Sequence, residues 1–278
     1  MKEIREKIGI VGFRGIVGWT VYQWFLKEGY RVFGYSRTDQ MAKKIVNEKC
    51  DVIFICVPTP FDWIKGKYNG SLVPKVLKEI KPGRIVIIKS TVMIGTTDRL
   101  QKRFPDLKIL FNPEFLSERT CDADFSHPDR QFVGYTKKSY SVATAVLNLL
   151  PESPYSVIMP AKEAELLKYI NNLHGVLEVM ESNHYYDVCR KEKLDYKRVI
   201  RAAVASKWVG PVMGRHYRNV WHKGYRGFGG KCFPKDLASW LEYCRKKGID
   251  STLMKATRQM NKRLLKEQGM TEEEVERK

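Results

Sequence analysis

The chain has 278 residues, with 50 Lys and Arg against 31 Asp and Glu, a formal net charge of +19 and a hydrophobic fraction of 43%. That length and composition are ordinary for a globular protein and leave room for two domains. No long apolar run interrupts the sequence and no hydrophobic segment follows Met1, so neither a membrane span nor a signal peptide is predicted, and a cytoplasmic protein is expected.

Ile8, Ile10 and Val11 read as a short apolar strand, followed by Gly12-Phe13-Arg14-Gly15-Ile16-Val17-Gly18 and a helical pattern of Val21, Trp24, Phe25 and Leu26. Strand, glycine turn and helix in that order predict a Rossmann-like dinucleotide site, with pyrophosphate at the helix N-terminus. The spacing is GxxGxxG, one residue longer than the usual fingerprint. Arg14 is either a phosphate contact or a solvated loop charge. The next strand, Tyr30 to Tyr35, ends in Ser36-Arg37-Thr38, where a carboxylate commonly holds the ribose of NAD. A hydroxyl followed by arginine suits a 2′-phosphate, so NADP competes with NAD here, unless Arg37 is a surface charge at a strand end.

Further strands run from Asp51 to Val57 into Pro58-Thr59-Pro60, and from Ile85 to Ile88 into Lys89-Ser90-Thr91-Val92. Phe111-Asn112-Pro113-Glu114-Phe115-Leu116-Ser117-Glu118 follows. Each of these taken singly reads as turn chemistry after a strand. Pro151-Glu152-Ser153-Pro154 marks a change of composition, giving an α/β domain over 1–155 and a helical domain over 156–278, with a last strand near Tyr155 to Ile158. Between Pro160 and about Lys191 no proline occurs, and Leu166, Leu167, Ile170, Leu173, Val176, Leu177 and Met180 recur at helical spacing. Glu165, Lys168 and Asn172 lie on that helix, the last two four residues apart and so on one face.

Gly227-Phe228-Gly229-Gly230-Lys231-Cys232-Phe233-Pro234-Lys235-Asp236 combines a glycine-rich loop with a cysteine and a proline suited to a first helical turn. Leu237, Trp240, Leu241 and Cys244 continue at helical spacing. A cysteine at a helix start beside lysines has the setting of a reactive thiol, although the same string accommodates a buried structural one. The other cysteines, Cys50, Cys56, Cys121, Cys189 and Cys244, and the five histidines show no metal-ligand spacing, so free thiols and no metal are expected. The positive charge is spread along the chain without a basic tail or a nucleic-acid motif, so it suits an anionic small ligand better than a polynucleotide.

Taken together and in order, the Gly12–Gly18 turn, the PTP turn, KSTV, NPEFLSE, the ExxKxxxN helix and GFGGKCFPKD resemble the UDP-glucose/GDP-mannose dehydrogenase family. The resemblance covers nearly the whole chain. It implies a doubly wound α/β domain binding NAD through Gly12, Gly15, Ile16, Val17, Gly18, Val57, Pro58, Thr59 and Thr91. Arg14, Ser36 and Arg37 are added as candidate cofactor contacts from the residues themselves, and Ser36-Arg37 departs from the acidic residue the family carries there, which brings in NADP. It implies catalysis by Cys232 as covalent nucleophile, with Lys168, Asn172, Asp236, Glu118, Thr91 and Glu114. A UDP- or GDP-linked sugar would meet Phe115, Leu116, Lys168, Asn172, Phe228, Gly229 and Gly230. The reaction implied is two-step oxidation of the sugar C6 alcohol to a carboxylate, in a homodimer formed through the helix at 161–191. The family's third domain, a second α/β unit that contacts the nucleotide, has no counterpart in the sequence, which predicts a more open nucleotide end. Two other readings stay open: a two-domain hydroxyacid dehydrogenase-like oxidoreductase, which has no cysteine nucleophile, and a non-catalytic homologue serving as a binding or assembly module.

Overall fold

The computed structural model describes residues 7–36, 39–117, 119–206, 209, 217–221 and 223–277. These fall into two compact units, one of the residues up to Pro60 with Asn69–Lys168, the other of Phe61–Tyr68 with the residues from Tyr169 onward. In chain order the elements are β1 (Lys7–Val11), α1 (Ile16–Lys27), β2 (Arg31–Tyr35), α2 (Gln40–Lys49), β3 (Val52–Ile55), the short strands β4 (Phe61–Asp62) and β5 (Lys67–Tyr68), and α3 (Leu72–Leu77). Next come β6 (Ile85–Ile88), α4 (Thr96–Arg103), β7 (Lys108–Phe111), α5 (Cys121–Ser126), β8 (Gln131–Tyr135), α6 (Tyr140–Leu149) and β9 (Ser156–Pro160). Five helices follow: α7 (Ala161–Lys191), α8 (Tyr196–Ala203), α9 (Phe233–Lys247), α10 (Thr252–Glu267) and α11 (Glu272–Arg277).

The first unit is built on a seven-stranded sheet in the order β2-β1-β3-β6-β7-β8-β9, parallel throughout except for the antiparallel β7–β8 pair. Parallel strands covered on both faces must be apolar at every position, and β3 meets this with Val-Ile-Phe-Ile, all four buried. Val52 and Phe54 join one core with Ile8, Ile10, Val21 and Phe25, whereas Ile53 and Ile55 join the other with Val11, Val46, Val86 and Ile88. Each such side chain contributes roughly 1.5–3 kcal/mol on burial. Because β1 lies between β2 and β3, the chain reverses direction across the sheet there, and the turns leaving β1 and β3 diverge at the carboxyl edge. Such a reversal is where α/β sheets bind nucleotides.

The fold is therefore the doubly wound α/β arrangement expected, followed by helices. The division differs from the 155/156 boundary suggested by composition. Strand β9 pairs with β8 from Gln131↔Ser156 to Tyr135↔Pro160 and completes the sheet, so the units part later, within α7. The β4–β5 hairpin, which no sequence pattern separates from the first unit, belongs to the second.

Helix α7 also departs from a simple apolar stripe. Leu173, Val176 and Met180 are buried, but Ile170 is 54% exposed and Glu165, Lys168 and Asn172 are almost fully buried. Three polar residues thus occupy positions that a purely structural helix would give to aliphatic ones. Glu165 has a structural role: it accepts from the amides of Gly95 (2.5 Å) and Thr97 (2.8 Å) and from Thr97 Oγ1 (2.6 Å), capping the start of α4. Burial pushes its carboxyl up to about 7, against the three donors that favour the charged form. Replacing Glu165 with alanine leaves these donors buried without an acceptor and is expected to cost about 1–3 kcal/mol, measured by urea denaturation.

Candidate active site

The candidate cofactor-binding residues gather at the carboxyl edge of the sheet in the first unit. Gly12 leaves β1 at φ 84°, and a Cβ there would lie 2.4 Å from the carbonyl oxygen of Cys56; one at Gly18 would lie 2.3 Å from the Gly12 carbonyl oxygen. Only glycine allows turn and helix to close this tightly. Within the turn the Phe13 ring packs at 5.6 Å on Tyr22. Arg14, Gly15 and Ile16 are exposed, Val17 is half-buried, and the Arg14 guanidinium lies 5.9 Å over the Phe13 ring.

Helix α1 starts at Gly15 with no side-chain cap and no acidic residue in its first turn. Its first amides are therefore directed outward at the positive end of the helix dipole, where a pyrophosphate is favoured. Ser36, just past β2, holds its Oγ buried without a hydrogen-bond partner among the described residues. A buried orphan hydroxyl at that point fits a ribose oxygen or its phosphate. Arg37 lies outside the described residues. Thr59 Oγ1 donates to the Thr91 carbonyl at 2.8 Å and Ser90 Oγ to the Val57 carbonyl at 2.7 Å, tying the Val57-Pro58-Thr59 turn to the KSTV turn. These residues together fit a dinucleotide.

The same unit holds a buried charge cluster around the NPEFLSE segment. Lys168 Nζ is 2.9 Å from Glu114 Oε1 and donates to the Glu114 carbonyl at 2.7 Å. Leu116 N–H donates to Glu114 Oε2 at 3.0 Å. Burial alone would raise the Glu114 carboxyl, but Lys168 and the Leu116 amide outweigh it and hold it below the usual range. The Phe115 ring faces Lys168 Nζ at 5.7 Å and the Arg130 guanidinium at 4.7 Å. Behind it, Lys89 donates to Asn112 Oδ1 at 2.5 Å, and Asn112 Nδ2 donates to the Phe132 carbonyl at 2.7 Å and Gln131 Oε1 at 3.0 Å. Burial lowers the Lys89 ammonium to about 8. Lys89 and Asn112, to which the motifs assign no role, join three strands beneath the cluster. Glu118 lies outside the described residues.

A thiol-centred cluster is formed within the second unit. Cys232 is the N-cap of α9, with Pro234 in the first turn, and its side chain is exposed. Asp236, 2% exposed, accepts from Lys235 Nζ at 2.5 Å through one oxygen and from Asn172 Nδ2 at 2.6 Å through the other. Burial would lower the Lys235 ammonium, but Asp236 and Cys232 beside it raise it above the usual lysine range. Phe228 is buried, with its N–H donating to Asn261 Oδ1 at 2.8 Å and its carbonyl accepting from Asn261 Nδ2 at 3.1 Å. Gly229 and Gly230 are half-buried. Phe228 thus shapes the loop as a core anchor, a role that alternation of Gly and Phe in the sequence did not suggest.

An exposed thiol at a helix start, an ammonium beside it and a buried carboxylate held by an amide form a set able to stabilise negative charge on sulfur and to move protons near it. Residues 7–149 match the NAD binding domain of the UDP-glucose/GDP-mannose dehydrogenase family, and residues 162–263 match its central domain. The chain belongs to that family. A UDP-glucose 6-dehydrogenase of Rhizobium meliloti is 30% identical over 226 residues, 76% of this chain and 50% of that one. One from Rickettsia prowazekii is 29% identical over 221 residues, 76% of this chain and 49% of the relative. A solved UDP-glucose dehydrogenase from Pyrobaculum islandicum superposes with a TM-score of 0.81 at 25% identity, covering 96% of this chain and 72% of the other. The chain spans about half the length of the curated relatives it matches. Family membership bears out the resemblance drawn from the motifs. No helix among the described residues is long and apolar enough to cross a membrane.

Proposed function

We propose that this member of the UDP-glucose/GDP-mannose dehydrogenase family oxidises the C6 alcohol of a UDP- or GDP-linked sugar to a carboxylate in two steps, with Cys232 carrying the sugar between them. The observation that carries this reading is the exposed Cys232 thiol at the start of α9, next to the Lys235–Asp236–Asn172 array. NAD or NADP, when bound, would supply the hydride acceptor for each of the two steps, two oxidised cofactors per sugar. Gly12, Gly15, Ile16, Val17 and Gly18 would hold its pyrophosphate, and the Pro58–Thr59 and Thr91 turns would support the nicotinamide end.

In the first step the C6 hydroxyl loses its proton to water under the influence of Asp236 and Lys168, and a hydride leaves carbon. The lysine ammonium and the second N–H of the Asn172 amide stabilise the oxygen. Cys232 sulfur then adds to the aldehyde and the carbonyl oxygen gains a proton, giving a thiohemiacetal. Loss of a second hydride and a proton leaves a thioester on Cys232. Water, activated by Glu118, hydrolyses it to the carboxylate and restores the thiol; Thr91 and Glu114 support that step. Covalent capture explains the cysteine, because it prevents aldehyde release midway. Phe115 and Leu116 would line the sugar. A homodimer formed through α7 belongs to the same reading.

Mixing the protein with NAD or NADP and a panel of UDP- and GDP-sugars tests the reading by absorbance of reduced cofactor. Reduction with no member of the panel would remove it in favour of a non-catalytic homologue. Cofactor choice is read from Ser36 and Arg37, which suit a 2′-phosphate. Ser36→Asp is expected to weaken NADP binding and strengthen NAD binding by about 1–3 kcal/mol. Titration of both cofactors against both proteins checks it, and unchanged NADP affinity would eliminate the pair as selectors.

A further inference from the structure

Helix α11 lies outside the region that matches the central domain, yet it touches the Cys232 loop directly. Gly230 N–H donates to the Val275 carbonyl at 2.8 Å, and a Cβ at Gly229 would lie 2.9 Å from Val275 Cβ. Val275 is buried with Tyr225 and Leu265 in a small apolar core. The helix that supplies these contacts is only six residues long and has too few internal hydrogen bonds to persist alone. Its position is therefore fixed from outside.

Two clamps fix it. Arg258 forms a forked pair with Glu272 at 2.8–3.1 Å, and Lys262 Nζ is 3.5 Å from the same carboxylate. The Trp63 indole N–H donates to Glu276 Oε2 at 2.6 Å. Arg258 also stacks 5.4 Å over the Trp63 ring, so both clamps share one guanidinium. Trp63 is in turn steadied by Phe61, whose ring is 4.9 Å away, within the β4–β5 hairpin. The far end of that hairpin is bonded to α9 itself, through Tyr68 N–H to Glu242 Oε2 at 2.6 Å. The hairpin, α11, the Gly229–Gly230 segment and the start of α9 thus form a closed chain of contacts around Cys232.

We propose that Trp63 and Glu276 are positioning residues for the Cys232 thiol, acting through α11 and the Gly230–Val275 bond to hold the loop against the start of α9. The proposal rests on Cys232 as the reacting residue and goes beyond it by assigning the hairpin and the last helix a part in the site. Without the indole–carboxylate bond α11 frays, Gly230 loses its acceptor, and the sulfur is no longer kept at the helix start.

The test follows iodoacetamide alkylation of Cys232 by peptide mass spectrometry in the full chain, with circular dichroism to confirm folding. Trp63→Phe and Glu276→Ala are each expected to slow alkylation at Cys232 by roughly threefold or more, because a thiol away from a helix N-terminus is less ionised. Amide exchange in peptides spanning 227–232 should rise in the same variants. Glu276→Gln keeps an acceptor for the indole and is expected to restore the rate to within about a factor of two. Parental alkylation in both Trp63→Phe and Glu276→Ala would overturn the proposal, as would a Gln variant as slow as the Ala one. If Glu276→Ala does not fold, the conservative Trp63→Phe decides the matter by the same readout. A protein that reduced no cofactor with any nucleotide sugar but showed this pattern would overturn the proposed reaction and leave the positioning role standing.

Discussion

Replacing Cys232 with alanine is expected to abolish carboxylate formation, by on the order of a thousandfold or more, while leaving the fold intact. The side chain is exposed at the start of α9, so its removal leaves no cavity and no buried polar group. The turn retains Pro234 and the Asp236 amide, which donates to the Cys232 carbonyl at 2.9 Å. The first oxidation needs no sulfur nucleophile, so a single turnover to the aldehyde level, trapped with a hydrazine, should survive. Acid formation at the parental rate would exclude a thioester route.

The second large effect belongs to Lys168. Lys168 is 4% exposed and its ammonium neutralises Glu114 at 2.9 Å, so Lys168→Met leaves a buried carboxylate without its paired counter-ion, the Lys89 charge alone remaining near it. A loss of about 3–5 kcal/mol is expected, together with loss of turnover. The pH dependence separates this from a simple packing defect. Glu114 is held below its ordinary range in the folded chain, so it binds fewer protons there than when unfolded. Its contribution is present at neutral pH and declines as pH falls through the carboxylate range. In Lys168→Met that acid-side decline should flatten or invert, since burial without the ammonium favours the protonated form. Urea denaturation of both proteins across acidic and neutral pH checks this; parallel curves would show that Lys168 does not hold the Glu114 charge.

Local pattern explains which parts were readable in advance. The β1–Gly12–α1 unit and the strand-ending PTP and KSTV turns are written in neighbouring residues, because apolar runs and glycines state their geometry over a few positions. The bounds of α7 were legible for the same reason. What that helix buries was not, since Glu165, Lys168 and Asn172 find their partners at Thr97, Glu114 and Asp236 far along the chain. The hairpin around Trp63 was missed outright: its indole bonds to Glu276 across 213 positions, and no periodicity spans such a distance. Motif resemblance named Asn172 and Asp236 separately, whereas the structure makes them hydrogen-bonded neighbours. It also left Lys235, the ion-pair partner of Asp236, as only a nearby charge.

The central claim is a four-electron oxidation whose second two-electron step takes place on Cys232, and stoichiometry tests it most directly. A limiting amount of the UDP- or GDP-sugar that supports reduction is converted to completion, and reduced cofactor and sugar carboxylate are counted together. The account predicts two reduced cofactors for each carboxylate, with no free aldehyde accumulating. One reduced cofactor per sugar, with aldehyde or ketone as the end product, would contradict it.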